Sequence, residues 1–115
     1  LAHSPAQQAF AQGLYYLTKA LDPTRPAIGN DGWEHLVGDI FGVHDYAVDG
    51  ATLRERYGTP EALERTLGAV QPHYRTIVLP RGQRAGQPVM LTEWGGISYA
   101  PVPGPPFCGY GTRPH

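Results

Sequence analysis

Three short clusters hold the residues whose types could do chemistry: Asn30, Asp31 and Trp33; His44, Asp45 and Tyr46; Glu93 and Trp94. Each combines a carboxylate with an aromatic ring, and the first adds an amide. Carboxylates and amides exchange hydrogen bonds with hydroxyl groups, and aromatic faces pack on the apolar C–H face of a sugar ring. Gathered in one cleft, such groups suit a polyhydroxylated ligand. Each also has a plainer reading. Trp33 and Trp94 could be core packing, His44 a buried and hydrogen-bonded histidine, Asp31-Gly32 a turn, and Glu93 a surface residue closing a strand.

The elements that must position these residues follow from local pattern. Pro88 to Trp94 runs apolar into Glu93, then into Gly95-Gly96, which suits a strand buried on both faces with Glu93 at its C-terminal mouth. Catalytic side chains sit at that mouth in barrel enzymes. Asp39 to His44 is a second strand candidate, and Pro26 to Gly29 a third. Ser4-Pro5-Ala6-Gln7 reads as a helix start, with Phe10, Leu14, Leu17 and Leu21 on one apolar face and Asp22-Pro23 as the stop. A short helical segment is expected over Ala51 to Tyr57. Thr59-Pro60-Glu61 caps a longer helix with Leu63, Leu67, Val70 and Tyr74 on one side, weakened towards its end by Gly68 and Pro72. Arg81 to Gly86 is a polar loop. Residues 97–115 hold five prolines and three glycines without a period and read as a Pro/Gly-rich loop or tail of the same domain.

Short apolar strands alternating with amphipathic helices define an α/β chain with a parallel sheet. In that arrangement the three strand ends lie on one side, so the three clusters converge. The 115 residues carry a formal net charge of -1, with 41% hydrophobic and 17% charged residues. No Lys/Arg cluster marks a nucleic-acid or acidic membrane surface, and no run is long enough to span a bilayer. The lone cysteine, Cys108, excludes an internal disulfide and reads as inert. His3, His35, His44, His73 and His115 show no metal-ligand spacing, so no metal is expected. Gly95-Gly96 is followed by no lysine, no nucleophile elbow occurs, and no cofactor is expected. The absence of a leader pattern and the single cysteine favour a cytoplasmic setting.

Four blocks occur in order: Leu21 to Pro26, Asn30-Asp31-Gly32-Trp33-Glu34, Asp39-Ile40 through His44-Asp45-Tyr46, and Leu91-Thr92-Glu93-Trp94-Gly95-Gly96. Together they resemble the catalytic TIM barrel of family 2 glycoside hydrolases, the β-galactosidase, β-glucuronidase and β-mannosidase group. The resemblance runs from about Ser4 to Tyr99. It implies a partial (β/α)8 barrel over residues 1–96, from helix 4 to the loop after strand 7. It also implies a carbohydrate substrate, and that the rest of the barrel and the accessory β-sandwich domains are missing from this chain. The resemblance makes Glu93 the nucleophile of a retaining β-glycosidase and Tyr46 the donor of a hydrogen bond to it. His44 falls on a polar, substrate-facing position, Asn30, Asp31 and Trp33 on the loop that shapes the sugar subsites, and Trp94 on the aromatic position after the nucleophile. Asn-Asp-Gly-Trp leans towards the β-galactosidase branch.

The chain departs from the family at one point. The acid/base of the family is the Glu of an Asn-Glu pair, and no such pair occurs here. A fragment with one of two carboxylates is expected to be inactive alone, and its exposed strand edges to favour aggregation or dimerisation. The alternative class is a non-catalytic carbohydrate-binding or truncated remnant protein.

Overall fold

The computed structural model describes residues 3–82, 84–99 and 110–113. It is a small mixed α/β arrangement built of helices α1 (Pro5–Leu21), α2 (Gly50–Tyr57) and α3 (Pro60–Gly68), and strands β1 (Phe41–Asp45), β2 (Val89–Trp94), β3 (Ile97–Tyr99) and β4 (Gly111–Arg113). β1 pairs with β2 and β3 with β4, both in parallel. Between β1 and β2 the chain passes through α2 and α3, which makes this stretch the βαβ unit that the alternating pattern predicts.

Capping fixes where the helices begin. Ser4, Asp49 and Thr59 each accept a hydrogen bond from a backbone N–H three residues on, those of Gln7, Thr52 and Ala62. Each cap contributes about 1 kcal/mol. α1 closes at Asp22, immediately before Pro23, as expected. α3 is shorter than its apolar spacing predicts. It stops at Gly68, so Val70 and Tyr74 are not on its face, and Tyr74 is 95% exposed.

The core lies where α3 covers the sheet. Val43, Leu67 and Ile77 are buried together, with Tyr57, Leu63, Val78, Val89 and Leu91 packed round them. Along β1, Phe41, Val43 and Asp45 are fully buried, Val43 in this core, Phe41 against the His35 ring and Asp45 against Arg56 and Tyr57. Alternation puts Gly42 and His44 on the other side. A further parallel bridge, His35 with Val78, was not visible in the pattern.

Three expectations fail here. Pro26 to Gly29 is not a strand: Pro26 has no N–H, and that of Ala27 is taken by the Asp39 carboxylate at 2.8 Å. β2 is not buried on both faces. Among the described residues it pairs with β1 alone, and Met90 and Trp94 are 49% and 63% exposed. Residues 97–99 and 111–113 pair as strands where an irregular loop was expected. Cys108 lies outside the described residues.

α1 keeps its predicted face but buries none of its residues. Phe10, Leu14, Leu17 and Leu21 are all exposed. Polar contacts hold the helix instead. Tyr15 donates to Asp39 at 2.7 Å and Lys19 pairs with the other Asp39 oxygen at 2.9 Å. These partners, Tyr15 first, lower the Asp39 carboxyl to about 2, and the Asp39 hydrogen bond is the main cause that lifts Tyr15 to about 12.

His35 is fully buried against Phe41, with its Nε2 2.5 Å from the Gly42 carbonyl and no partner for Nδ1. Nε2 therefore donates and the ring is neutral. Burial holds its pKa below the usual histidine value, outweighing the Gly42 hydrogen bond and the nearby Asp31 charge; His44 adds to the lowering. The unfolded chain takes up this proton first, near pH 6.5. Stability is thus full above that pH and falls as pH drops from about 6.5 towards the lower folded value. A set of urea midpoints from pH 7.5 to 5 should show the fall, and His35→Gln should flatten it. Parallel curves for the two proteins would remove His35 as the cause.

Candidate active site

Glu93 reaches the site because the β1–β2 ladder slips by one residue. Phe41, Gly42 and Val43 pair with Val89, Met90 and Leu91, but His44 pairs with Glu93 and Asp45 with Trp94. Thr92 is the extra residue of a β-bulge. Uninterrupted alternation would set Glu93 opposite Asp45, on the core face. The bulge places it beside His44, on the opposite face, and such local kinks are a known way to re-aim a side chain.

On that face the predicted residues meet. Tyr46 donates a short hydrogen bond to Glu93 Oε2. His44 Nδ1 is 3.6 Å from the same oxygen and 3.5 Å from the Tyr46 hydroxyl. On the far side of the ring, Nε2 is 3.4 Å from Asp31 Oδ2. Trp33 packs edge-on against His44, 5.0 Å between centroids, with the Arg75 guanidinium 5.4 Å from the indole. The Tyr46 hydroxyl is held protonated well above its ordinary range, first by the hydrogen bond to Glu93 and then by burial.

A shallow cleft of about 340 Å³ opens over these groups, lined by Tyr46, Thr92, Glu93, Trp94 and Gly96. Glu93 is about half exposed, and Trp94 offers its indole to the same space. The arrangement combines an accessible carboxylate, a phenol that donates to it, and a free aromatic face. That set can hold a sugar ring and present one carboxylate oxygen to it.

Asn30 and Asp45 do not join this group. The Asn30 amide donates to the Trp33 carbonyl at 2.5 Å and so braces the loop from within. Asp45, although it ends β1 beside His44 and Tyr46, is buried in the core and tied to α2. Arg56 Nη1 reaches both of its oxygens at 2.8 and 2.7 Å, and the Tyr57 hydroxyl donates at 2.8 Å.

Two residues of the site had no signal in the sequence pattern. Tyr110 stacks on Tyr46 at 3.8 Å and 3°, anchored by its backbone N–H to the Gly96 carbonyl. His73 packs against both rings, and its Nε2 accepts from the Tyr46 backbone N–H at 3.1 Å. The turn that delivers it, Pro72–Tyr74, sets His73 and Tyr74 at φ of 53° and 61°. Two successive non-glycine residues in the left-handed region cost of order 1–3 kcal/mol each. Strain of this kind clusters at functional sites.

Among the described residues no group of three or more His, Cys, Asp or Glu could hold a metal ion, and no helix is long and apolar enough to cross a membrane. No protein-family model matches the chain, and neither does any curated protein or solved structure.

Proposed function

We propose that this chain is part of a retaining β-glycosidase with a (β/α)8 barrel, in which Glu93 is the nucleophile. The observation that carries the reading is the contact between Tyr46 and Glu93, at the ends of adjacent parallel strands. A phenol that donates to one carboxylate oxygen fixes where that oxygen stands for attack. The parallel β1–β2 pair, its helical crossover and the Asp31–Trp33 loop on the other edge of β1 support the barrel, though they are also compatible with other α/β sheets.

In this reading a Glu93 oxygen attacks the anomeric carbon while the glycosidic oxygen leaves with a proton from an acid outside the chain. Water then cleaves the glycosyl ester, the same outer group taking its proton. Retaining enzymes hold the two carboxyls about 5–5.5 Å apart, too close to admit a water between nucleophile and sugar. Trp94 would pack on the sugar's C–H face, and Tyr46 would fix the attacking oxygen. Asn30-Asp31-Gly32-Trp33 alone leans towards a β-galactoside, without separating it from a β-glucuronide or β-mannoside.

The test is covalent capture. An activated 2-deoxy-2-fluoro-β-glycoside should add one sugar mass to the peptide carrying Glu93, and Tyr46→Phe should slow that step by about 10²-fold. Unchanged labelling in Tyr46→Phe would remove Tyr46 from the reaction. The non-catalytic reading is favoured by the single nucleophile-type carboxylate in the cleft. It predicts saturable sugar binding, seen as Trp94 fluorescence quenching, with no covalent mass on Glu93.

A further inference from the structure

We propose that Asp31 is a positioning residue for Glu93, acting through His44, and not a ligand of the sugar. The proposal rests on the glycosidase reading above and adds a residue to its machinery. Both Asp31 oxygens are turned to protein groups. Oδ1 accepts from the Thr92 hydroxyl at 2.8 Å, and Oδ2 faces His44 Nε2 at 3.4 Å. Asp31 is half-exposed, yet it is absent from the lining of the cleft that Glu93 and Trp94 share.

The backbone around this contact is shaped to allow it. A side chain on Gly42 would overlap the Asp31 carboxylate. A Cβ on Gly32 would stand 2.6 Å from the His44 ring, and Gly32 has φ of 91°, a conformation that glycine adopts freely. Gly32 N–H donates to the Gly42 carbonyl at 3.1 Å and His44 N–H to the Gly32 carbonyl at 3.3 Å, so the loop is laid along β1. Two glycines, one hydroxyl and two backbone hydrogen bonds thus bring one carboxylate against one imidazole edge. A carboxylate that recognised sugar hydroxyls would need its oxygens free towards the cleft.

His44 converts that contact into control of Glu93. Its side chain is 11% exposed, and Nε2 has no hydrogen-bond partner of normal length. With Asp31 facing Nε2, the proton is held on that nitrogen and the ring is fixed in one orientation. The Nδ1 lone pair then faces the Tyr46 hydroxyl at 3.5 Å, the group that donates to Glu93 Oε2, so the ring acts on the carboxylate through Tyr46. Asp31 therefore sets where the attacking carboxylate stands without touching the substrate. Contacts of this type are often long in a ligand-free site and tighten once substrate is bound.

Four variants of the full protein test this: Asp31→Asn, His44→Gln, their double, and Thr92→Val. Turnover of an aryl β-glycoside is read beside the imidazole ¹⁵N shifts of His44. Asp31→Asn should lower kcat by about 10- to 100-fold with KM within about two-fold. It should move the His44 shifts, and the double variant should be no slower than His44→Gln alone. Thr92→Val, which frees Asp31 Oδ1, should shift kcat and the ¹⁵N signals in the same direction by less; it decides the matter if Asp31→Asn does not fold. A raised KM at constant kcat would make Asp31 a sugar ligand and overturn the proposal. So would additive losses, or His44 shifts unchanged by Asp31→Asn. If the wild-type protein shows no covalent labelling at Glu93, the glycosidase reading falls and the positioning role falls with it. Moved ¹⁵N shifts in that case would identify a structural Asp31–His44 pair only.

Discussion

Glu93→Gln should lower turnover by at least about 10⁴-fold in a protein that otherwise folds and binds sugar as before. The amide keeps the shape and the hydrogen bond from Tyr46 but cannot form the glycosyl ester. Substrate affinity should stay within a few-fold, because Trp94 and the cleft walls are untouched. Glu93→Ala sharpens the test. It leaves space for a small anion such as azide, which should restore activity and give a glycosyl azide of inverted configuration. Loss of the acid/base of a retaining enzyme would instead give the azide of retained configuration. Near-normal activity in Glu93→Gln would end the nucleophile assignment.

The second large effect is on stability. Asp45→Ala should cost about 3–5 kcal/mol, a major part of the 5–15 kcal/mol that holds a typical domain together. Removing the carboxylate strands the Arg56 guanidinium and the Tyr57 hydroxyl, and it also frees the Ala47 N–H that Asp45 caps at 3.0 Å. The Tyr57 hydroxyl is held protonated in the folded protein, by burial first and by Asp45 next. Urea unfolding followed by circular dichroism would read the loss. The double variant Asp45→Leu with Arg56→Met should recover the part owed to the stranded Arg56 charge, since replacing both charges removes the desolvation cost with the attraction, and leave the part owed to Tyr57 and Ala47. If the double variant were as unstable as Asp45→Ala, the loss would lie in the shape of the site and not in its unpaired charge.

Much of the fold was written locally and could be read. Ser4-Pro5 and Asp22-Pro23 bound α1 because a cap and a proline act within a few residues. The same holds for Thr59-Pro60 at the start of α3. The apolar runs of β1 and β2 marked strands, and their parallel pairing follows from the helices between them. That His44, Tyr46 and Glu93 lie near one another follows only in part from strand ends sharing a side: Glu93 needs the bulge at Thr92 to face His44, and Asp31 and Trp33 arrive on a loop laid along β1 and not from a strand end.

What could not be read depends on neighbours distant in sequence. The apolar spacing of α1 promised a buried face, but spacing records what a helix could cover and not what lies against it. Asp45 looked like a site residue because it adjoins His44 and Tyr46. Alternation sends it to the core, where Arg56 and Tyr57 from α2 make it an anchor. Asn30 offered an amide for a ligand and is occupied by a carbonyl three residues away. His73 and Tyr110 depend on a left-handed turn and on a return of the chain to Gly96, and neither has a signature in residue type.

The extra residue at Thr92 has a consequence for how this site can change over generations. A strand has a phase, and the bulge lets one strand carry two: its first half feeds the core and its second half feeds the cleft. Substitutions in Val89 or Leu91 alter packing without changing the phase of Glu93. Only gaining or losing a residue can shift it. The placement of Glu93 is therefore insulated from the commonest kind of mutation in the core beneath it, and exposed to the rarer kind that changes chain length.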